Sequence, residues 1–272
     1  MKNRSLLLVV GALAAPLPAA GQSRPIADNS FLIEEAYNQE PGVVQHISTF
    51  LKHRNTDAWI YSFTQEWPLF SQQNQLSFTL PVQRVPNGSS VATGLGDVAL
   101  NYRYQLLGPE GTLAASPRLS VLLPTGDRGE GLGAGGLGLQ ASLPASVVVT
   151  EHIVTHWNVG FTTIPSAKNA VGDEAAITGY NVGASIVWLL RPAFNLLLEV
   201  VWTSSERVTA PGTTVRTDAL LLSPGIRWAH NLAGGLQIVP GVAVPIGVGP
   251  SPGNDAFLFY LSFEHPFRRP EH

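Results

Sequence analysis

Apolar and polar residues alternate along most of this chain, and residues 182–202, VGASIVWLLRPAFNLLLEVVW, show what that spacing implies. A transmembrane helix needs about 20 consecutive apolar residues. Arg191, Pro192 and Glu199 interrupt this stretch, and polar groups at bilayer depth are costly. Successive side chains of a β-strand point to opposite faces, so period-two alternation creates one apolar and one polar face. The pattern therefore predicts two strands joined by a tight turn at Arg191 and Pro192.

The same alternation recurs in six further segments: 58–67, 75–83, 97–106, 155–162, 223–228 and 256–267. Two folds present such strands. In a soluble β-sandwich the apolar faces pack on each other and the polar faces meet water. In an outer-membrane barrel the apolar faces meet lipid and the polar faces line a lumen.

Aromatic residues favour the barrel, because they fall on the apolar faces, many near strand ends, as interfacial girdles require. They are Trp59, Tyr61, Trp67, Tyr102, Tyr104, Trp157, Tyr180, Trp188, Trp202 and Trp228. The polar faces carry small or uncharged residues as often as charged ones, which suits a lumen. We therefore predict an all-β fold, a closed antiparallel transmembrane β-barrel of about twelve strands with a short N-terminal helix.

The connections are expected to alternate in length, with long loops outside and short turns on the periplasmic side. Long connections are predicted at 53–57, 84–96, 125–136, 165–176, 204–217 and 247–254, although the first is short. Short ones are predicted at 70–74, 107–112, 149–152, 190–193 and 230–235. The glycine-rich stretch within 121–144 is interpreted as an outer loop, because a phosphate-binding loop would precede a helix and no helical period follows. Prolines oppose the strand assignment where they would remove ladder hydrogen bonds; they are Pro81, Pro117, Pro144, Pro224 and Pro240.

The N-terminal region divides into two predicted parts. Residues 1–21 combine Lys2 and Arg4, an apolar run and small residues, which is the order of a secretory signal peptide. Residues 22–42 contain the predicted helix, within 28–42: Asn29 or Ser30 can cap it, two glutamates fall near its start, and Pro41 with the next glycine ends it. This segment is interpreted as either a lumen plug or a periplasmic docking turn. Residues 43–267 form the predicted barrel, and 268–272 a C-terminal tail.

The composition is low in charge and high in hydropathy for a soluble protein. Only 13% of residues are charged and the mean hydropathy is +0.13, whereas roughly a quarter of residues are charged in soluble proteins. The net charge of −3 gives no basic surface for nucleic acid. Cysteine is absent, which removes thiolate metal sites and cysteine nucleophiles. We expect no cofactor, and no energy-coupling motif is visible.

Polar residues of the alternating strands are the candidate lumen lining. They are Glu66, Asn101, Arg103, Arg118, Gln140, His156, Asn158, Asn181, Glu199, Arg227, Tyr260 and Glu264. The charged members form either a constriction that orients solutes or ion pairs that fill a narrow lumen, which we prefer because small barrels are packed by side chains.

Histidines raise two other possibilities. His152 and His156 are four residues apart, about 13 Å along a strand, which is too far for one metal ion. In a barrel enzyme, a lipid hydrolase or acyl-modifying enzyme, His156 and Asn158 could work with Ser142 or Ser185, but such a set is recognised by geometry.

Four motifs carry a family resemblance: FLIEEAYNQEPGVVQHI (31–47), LPTGD (123–127), LQASLPAS (139–146) and VAVPIG (242–247). Together they resemble the bacterial family known as "MetA-pathway of phenol degradation", from about Asn29 to Phe267. The resemblance implies an outer-membrane barrel that transports hydrophobic or aromatic compounds, without catalytic residues.

The predicted function is thus a passive outer-membrane channel for small hydrophobic or aromatic solutes in a Gram-negative bacterium. Its expected partners are outer-membrane lipid, the solute and the barrel-assembly machinery, which reads a terminal aromatic strand such as that containing Phe263 and Phe267. The alternatives are the barrel enzyme and a soluble periplasmic β-sandwich that binds a ligand.

Overall fold

Twelve antiparallel strands close into one barrel in the computed structural model, which describes residues 29–87, 90–108 and 110–266. The first three strands are β1 (Val43–His53), β2 (Trp59–Leu69) and β3 (Ser71–Asn87). Two broken strands follow: β4 (Ser90–Leu95 and Val98–Tyr104) and β5 (Leu113–Ala115 and Arg118–Leu123). Five long strands come next: β6 (Gly138–Thr150), β7 (Ile153–Lys168), β8 (Glu174–Arg191), β9 (Phe194–Ala210) and β10 (Thr213–Trp228). The last two are β11, broken into Gln237–Ala243 and Ile246–Val248, and β12 (Ala256–Pro266).

Each strand pairs with its neighbours in the chain, and β12 pairs with β1 from Val43 opposite Pro266 to His53 opposite Ala256. This last pairing closes the sheet, so the predicted closed barrel of about twelve strands is confirmed. The sandwich alternative required apolar faces packed together, whereas these strands form one continuous sheet. Among the described residues, no helix has the length and apolar character to cross a membrane.

Large apolar side chains cover the outside of the barrel. On β9, Leu198 is 43% exposed while its neighbour Glu199 is 0% exposed, and the same alternation runs along the other long strands. Trp157, Tyr180 and Trp188 are among the exposed aromatic residues of this outer face. The alternation read from the sequence is therefore the alternation between the outer surface and the lumen.

The predicted helix within 28–42 is wrong for the described residues 29–42, which form bends and extended chain. The predicted capping residue Asn29 does accept a hydrogen bond from a backbone amide, since its Oδ1 lies 2.9 Å from Glu35 N. The following backbone N–H groups, however, bind side chains of the barrel wall instead of carbonyl groups four residues earlier. The predicted signal peptide and C-terminal tail lie outside the described residues.

The predicted loop lengths are partly wrong. We call the end that holds both termini of the barrel the terminal end, and the opposite end the loop end. At the loop end, residues predicted as a long loop at 204–217 continue the β9–β10 ladder to Ala210 opposite Thr213, and Gly212 takes the positive φ of 65° that this tight turn requires. At the terminal end, residues 105–112 and 229–236 make longer connections than expected, including a short 3₁₀ turn, Ala233–Gly235.

The glycine-rich stretch is a loop at residues 124–137, as predicted, and it folds inward over β3 and β4. Leu132 is 5% exposed, and its carbonyl accepts from Gln83 Nε2 at 2.8 Å. Asp97, at the break in β4, accepts from Gly126 N at 3.0 Å and from Ala134 N at 2.7 Å. One carboxylate therefore fastens both ends of this loop across the mouth of the barrel.

Candidate channel lumen

Residues 29–39, called here the lumen segment, run inside the barrel and bind its inner wall. Seven backbone N–H groups of residues 32–39 donate to side chains, six of them on the wall. Glu199 Oε1 accepts from Leu32 N at 2.7 Å and from Ile33 N at 3.1 Å. The other wall acceptors are Asn158 for Glu34, Ser146 for Ala36, Gln105 for Asn38 and Gln75 for Gln39, at 2.7–2.8 Å. Buried N–H groups need hydrogen-bond partners. The side chains of the wall therefore supply the acceptors that backbone carbonyl groups would supply within a helix.

Three inward arginines hold the lumen segment by its carbonyl groups and by the side chains of Glu34 and Asn38. Arg227 Nη1 donates to the Asn29 carbonyl at 2.6 Å. Arg118 Nη2 lies 2.7 Å from Glu34 Oε1. Arg103 donates to the carbonyl groups of Glu35 and Tyr37 and to the side chain of Asn38. These arginines were predicted to line the lumen as a constriction or as filling ion pairs, and in the structure each of them contacts the lumen segment.

Glycines in the wall make room for two apolar side chains of the segment. A Cβ at Gly183 would lie 2.3 Å from Ile33 Cδ1. A Cβ at Gly225 or Gly241 would lie 2.6 or 2.5 Å from the ring of Phe31. Since real Cβ atoms do not approach that closely, glycine is required at these positions while the segment is in place.

An apolar cluster that was not predicted from the sequence surrounds Phe31 inside the lumen. Its buried members are Phe31, Ile47, Val187, Leu197, Val239, Ala243, Leu258 and Tyr260. The ring centroids of Phe31 and Tyr260 are 5.1 Å apart. The one sequence signal for this cluster is an apolar residue at an inward strand position, such as Leu197, which lies on the same face of β9 as Glu199.

A cavity of about 220 Å³ lies between the lumen segment and the wall formed by β1–β5 and β12. Phe31, Ile47 and Tyr260 give it an apolar side. Hydroxyl and amide groups line the remainder, at Thr49, Thr64, Ser77, Thr79 and Asn101, with Glu34, Glu66 and Arg118 adding charge. A second space, about 410 Å³, lies against β7, β8 and β9 near Asn181.

The structure places the predicted lining residues on the inner side of the wall. Eight are buried: Glu66, Asn101, Arg103, His156, Asn158, Glu199, Arg227 and Tyr260. Arg118, Gln140, Asn181 and Glu264 are partly exposed, and Arg118 donates to Gln140 Oε1 at 3.0 Å. Their role in solute passage stays a prediction. Several wall residues that bind the segment, among them Gln75, Gln105 and Ser146, could not be identified from the sequence, because nothing local distinguishes them from other inward polar residues.

One serine–histidine contact bears on the enzyme alternative. Ser146 Oγ lies 2.7 Å from His156 Nδ1, whereas the sequence pointed to Ser142 or Ser185. Ser146 Oγ also accepts from Ala36 N at 2.8 Å, and both side chains are at most 3% exposed. This buried pair contacts the lumen segment and lines neither of the two cavities described above. His152 lies at the exposed turn beside Glu151, and the described residues contain no group of three or more His, Asp or Glu placed to hold a metal ion.

The barrel fold is shared with a solved outer-membrane channel. The crystal structure of an outer membrane channel from Pseudomonas putida F1 superposes with a TM-score of 0.61 and 14% identity, covering 85% of this chain and 97% of that chain. The KdgM porin gives a TM-score of 0.49 with 8% identity, covering 83% of this chain and 99% of that chain. No family model matches the sequence, and no curated protein matches it. The fold is thus that of an outer-membrane barrel, while the resemblance to the phenol-degradation family is not confirmed.

Proposed function

We propose that this chain is a passive outer-membrane channel for small hydrophobic or aromatic solutes, with the lumen segment as its internal constriction. The observation that carries the proposal is the arrangement of its surfaces: apolar side chains face outward around the barrel, and a largely polar wall encloses a space next to the segment. An apolar outer band suits a lipid bilayer. The terminal end would face the periplasm, and outer-membrane lipid and the assembly machinery would be the partners.

The cavity beside the segment supports the choice of solute. Its volume of about 220 Å³ exceeds the roughly 150 Å³ of an apolar protein cavity that binds benzene. Phe31, Ile47 and Tyr260 offer contacts to a ring, and the hydroxyl groups opposite offer hydrogen bonds to a polar substituent. Small molecules with one apolar and one weakly polar side fit both surfaces.

Planar bilayer recordings test the proposal. We expect the full mature protein to conduct weakly, because the segment narrows the lumen, and a variant lacking residues 23–42 to conduct more strongly. Flux of phenol and of a sugar of similar size, measured with the same protein in liposomes, compares the solute classes, and we expect phenol to pass faster. A barrel that inserts but conducts no ions in either form would refute the channel.

A further inference from the structure

Two histidines approach each other on the outer surface of the barrel, where the last strand pairs with the first. His46 lies on β1 and His265 on β12, and both are partly exposed. Their neighbours Gln45 and Glu264 are directly paired on the inner face, where Gln45 Oε1 accepts from Gln39 Nε2 at 2.6 Å. Because successive side chains of a strand point to opposite faces, His46 and His265 face outward.

The two imidazole rings meet at their Nε2 atoms. His46 Nε2 lies 3.2 Å from His265 Nε2, whereas the ring centroids are 5.3 Å apart and the ring planes differ by 18°. The two nitrogens are therefore the facing edges of the rings. In a tetrahedral zinc site with Zn–N bonds of about 2.05 Å, adjacent ligand nitrogens are about 3.3 Å apart. One ion thus fits both nitrogens with little movement of either ring.

A backbone carbonyl favours the metal-binding form of His265. Its Nδ1 lies 3.4 Å from the carbonyl oxygen of Pro266. A carbonyl oxygen only accepts, so Nδ1 carries the proton in this contact, and the other nitrogen of a neutral imidazole then holds a lone pair. Metal-binding histidines usually donate their second ring N–H to a carbonyl or a carboxylate in this way. His265 therefore presents a lone pair on Nε2 toward His46.

Aromatic neighbours hold the His46 ring in position. The ring of Phe263 on β12 stacks on it at a centroid distance of 4.7 Å, and the ring of Phe63 on β2 lies 6.0 Å away. A ring that is already fixed loses little freedom when it binds an ion, and such preorganisation favours binding. Since the described residues contain no group of three or more histidine or acidic ligands, water would complete the coordination of the ion.

We propose that His46 and His265 form a site for a divalent transition-metal ion that clamps β12 to β1 near the terminal end of the barrel. Imidazole nitrogen suits zinc, copper and nickel, whereas magnesium and calcium prefer oxygen ligands. An ion held by one side chain from each strand cross-links the pair that closes the sheet, and an ion that binds only the folded barrel stabilises it. The site lies on the outer face, so the inference goes beyond the proposed channel function and does not depend on it.

The competing arrangement is a hydrogen bond without metal, in which His46 Nε2–H donates to His265 Nε2. The substitution His46→Gln separates the two arrangements, because a glutamine amide still donates a hydrogen bond but is not among the usual protein ligands of zinc. His230→Gln is the matched control. His230 is also an exposed histidine near the terminal end, but its Nε2 accepts from Trp228 Nε1 at 3.2 Å instead of facing a second imidazole.

Isothermal titration of the folded, untagged mature protein in detergent with zinc chloride measures the binding. We expect one zinc ion to bind per barrel, and His46→Gln or His265→Gln to weaken the binding at least about tenfold, because each removes one of two protein ligands. His230→Gln should leave the binding unchanged. Absence of zinc binding, or equal affinity in the His46→Gln and His230→Gln proteins, would overturn the site and leave the channel function standing.

Unfolding in urea tests the clamp itself. The folded fraction of the barrel in lipid vesicles is measured by its electrophoretic mobility, with and without a saturating concentration of zinc. We expect zinc to raise the urea midpoint of the wild-type and His230→Gln proteins, because only the folded barrel brings His46 and His265 together. The midpoint of the His46→Gln protein should stay the same. A midpoint that zinc shifts equally in the wild-type and His46→Gln proteins, or in neither, would overturn the clamp.

Discussion

Glu199 holds the lumen segment by two backbone hydrogen bonds, and its replacement by alanine should release the segment. Glu199 is 0% exposed, and its Oε1 accepts the N–H groups of Leu32 and Ile33. Glu199→Ala leaves both donors without this acceptor, and each unsatisfied buried donor costs about 1–3 kcal/mol. At the lower bound the bound state loses about 2 kcal/mol, which corresponds to a roughly 30-fold larger released population.

Thiol labelling measures that population. Ser30, which is 1% exposed and shares a 2.7 Å hydrogen bond with Ser185, is replaced by cysteine as the single reactive site. When the segment rebinds faster than the thiol reacts, the labelling rate by a water-soluble maleimide follows the released fraction. We expect Glu199→Ala to raise that rate by about 30-fold or more.

A matched control separates the segment contact from a general loss of stability. Glu206 also accepts a backbone N–H, from Thr178 at 2.8 Å, but its other bonds also stay on the barrel, to the Thr178 hydroxyl, Thr214 and its ion-pair partner Arg216. Glu206→Ala should leave the labelling rate of Cys at position 30 unchanged. Equal labelling in the Glu199→Ala and Glu206→Ala proteins would refute the inference that Glu199 anchors the segment.

Two further substitutions have sharp expected outcomes. Gly183→Val should displace the lumen segment and raise ion conductance, because its Cβ would lie 2.3 Å from Ile33 Cδ1. Gly179→Val is the control and should leave conductance unchanged, because its Cβ would meet nothing closer than 3.6 Å. Equal conductance in the two variants would contradict the inference that Gly183 makes room for Ile33. Asp97→Ala should speed amide hydrogen exchange in residues 124–137, because it removes the acceptor for two loop amides. Asp57→Ala, at a side chain that is 77% exposed, is the control. An unchanged exchange rate in the Asp97 variant would show that the loop is held by other contacts.

The barrel wall was predictable because its signal is local. Neighbours such as Leu198 and Glu199 differ in polarity, and their alternation determines the face of each residue whatever the rest of the chain does. Pro224 and Pro240 were recognised as conflicting with strands, and the conflict is real, since Pro224 lies in β10 and Pro240 in β11 and neither has an N–H to donate to a neighbouring strand.

The lumen segment was mispredicted because its partners are distant in the chain. A capping residue and glutamates near the start of the segment match a helix locally, but Leu32 and Ile33 donate to Glu199, more than 160 residues away. The glycines that make room for the segment were missed for the same reason. In the sequence Gly225 and Gly241 look like ordinary strand glycines, and only the position of Phe31 in the structure shows why a side chain cannot be placed there. Rules that use only neighbouring residues cannot compare the free energy of these long-range contacts with that of a helix.

Spin labels placed one at a time along β9, from residue 195 to residue 202, test the central claim most directly, by collision with oxygen dissolved in the bilayer. Labels at 196, 198, 200 and 202 should collide often with oxygen, because those positions face outward. Labels at 195, 197, 199 and 201 should be protected, because those positions face the lumen and its segment. Equal collision rates at even and odd positions, or the reverse alternation, would contradict a barrel whose apolar face meets lipid.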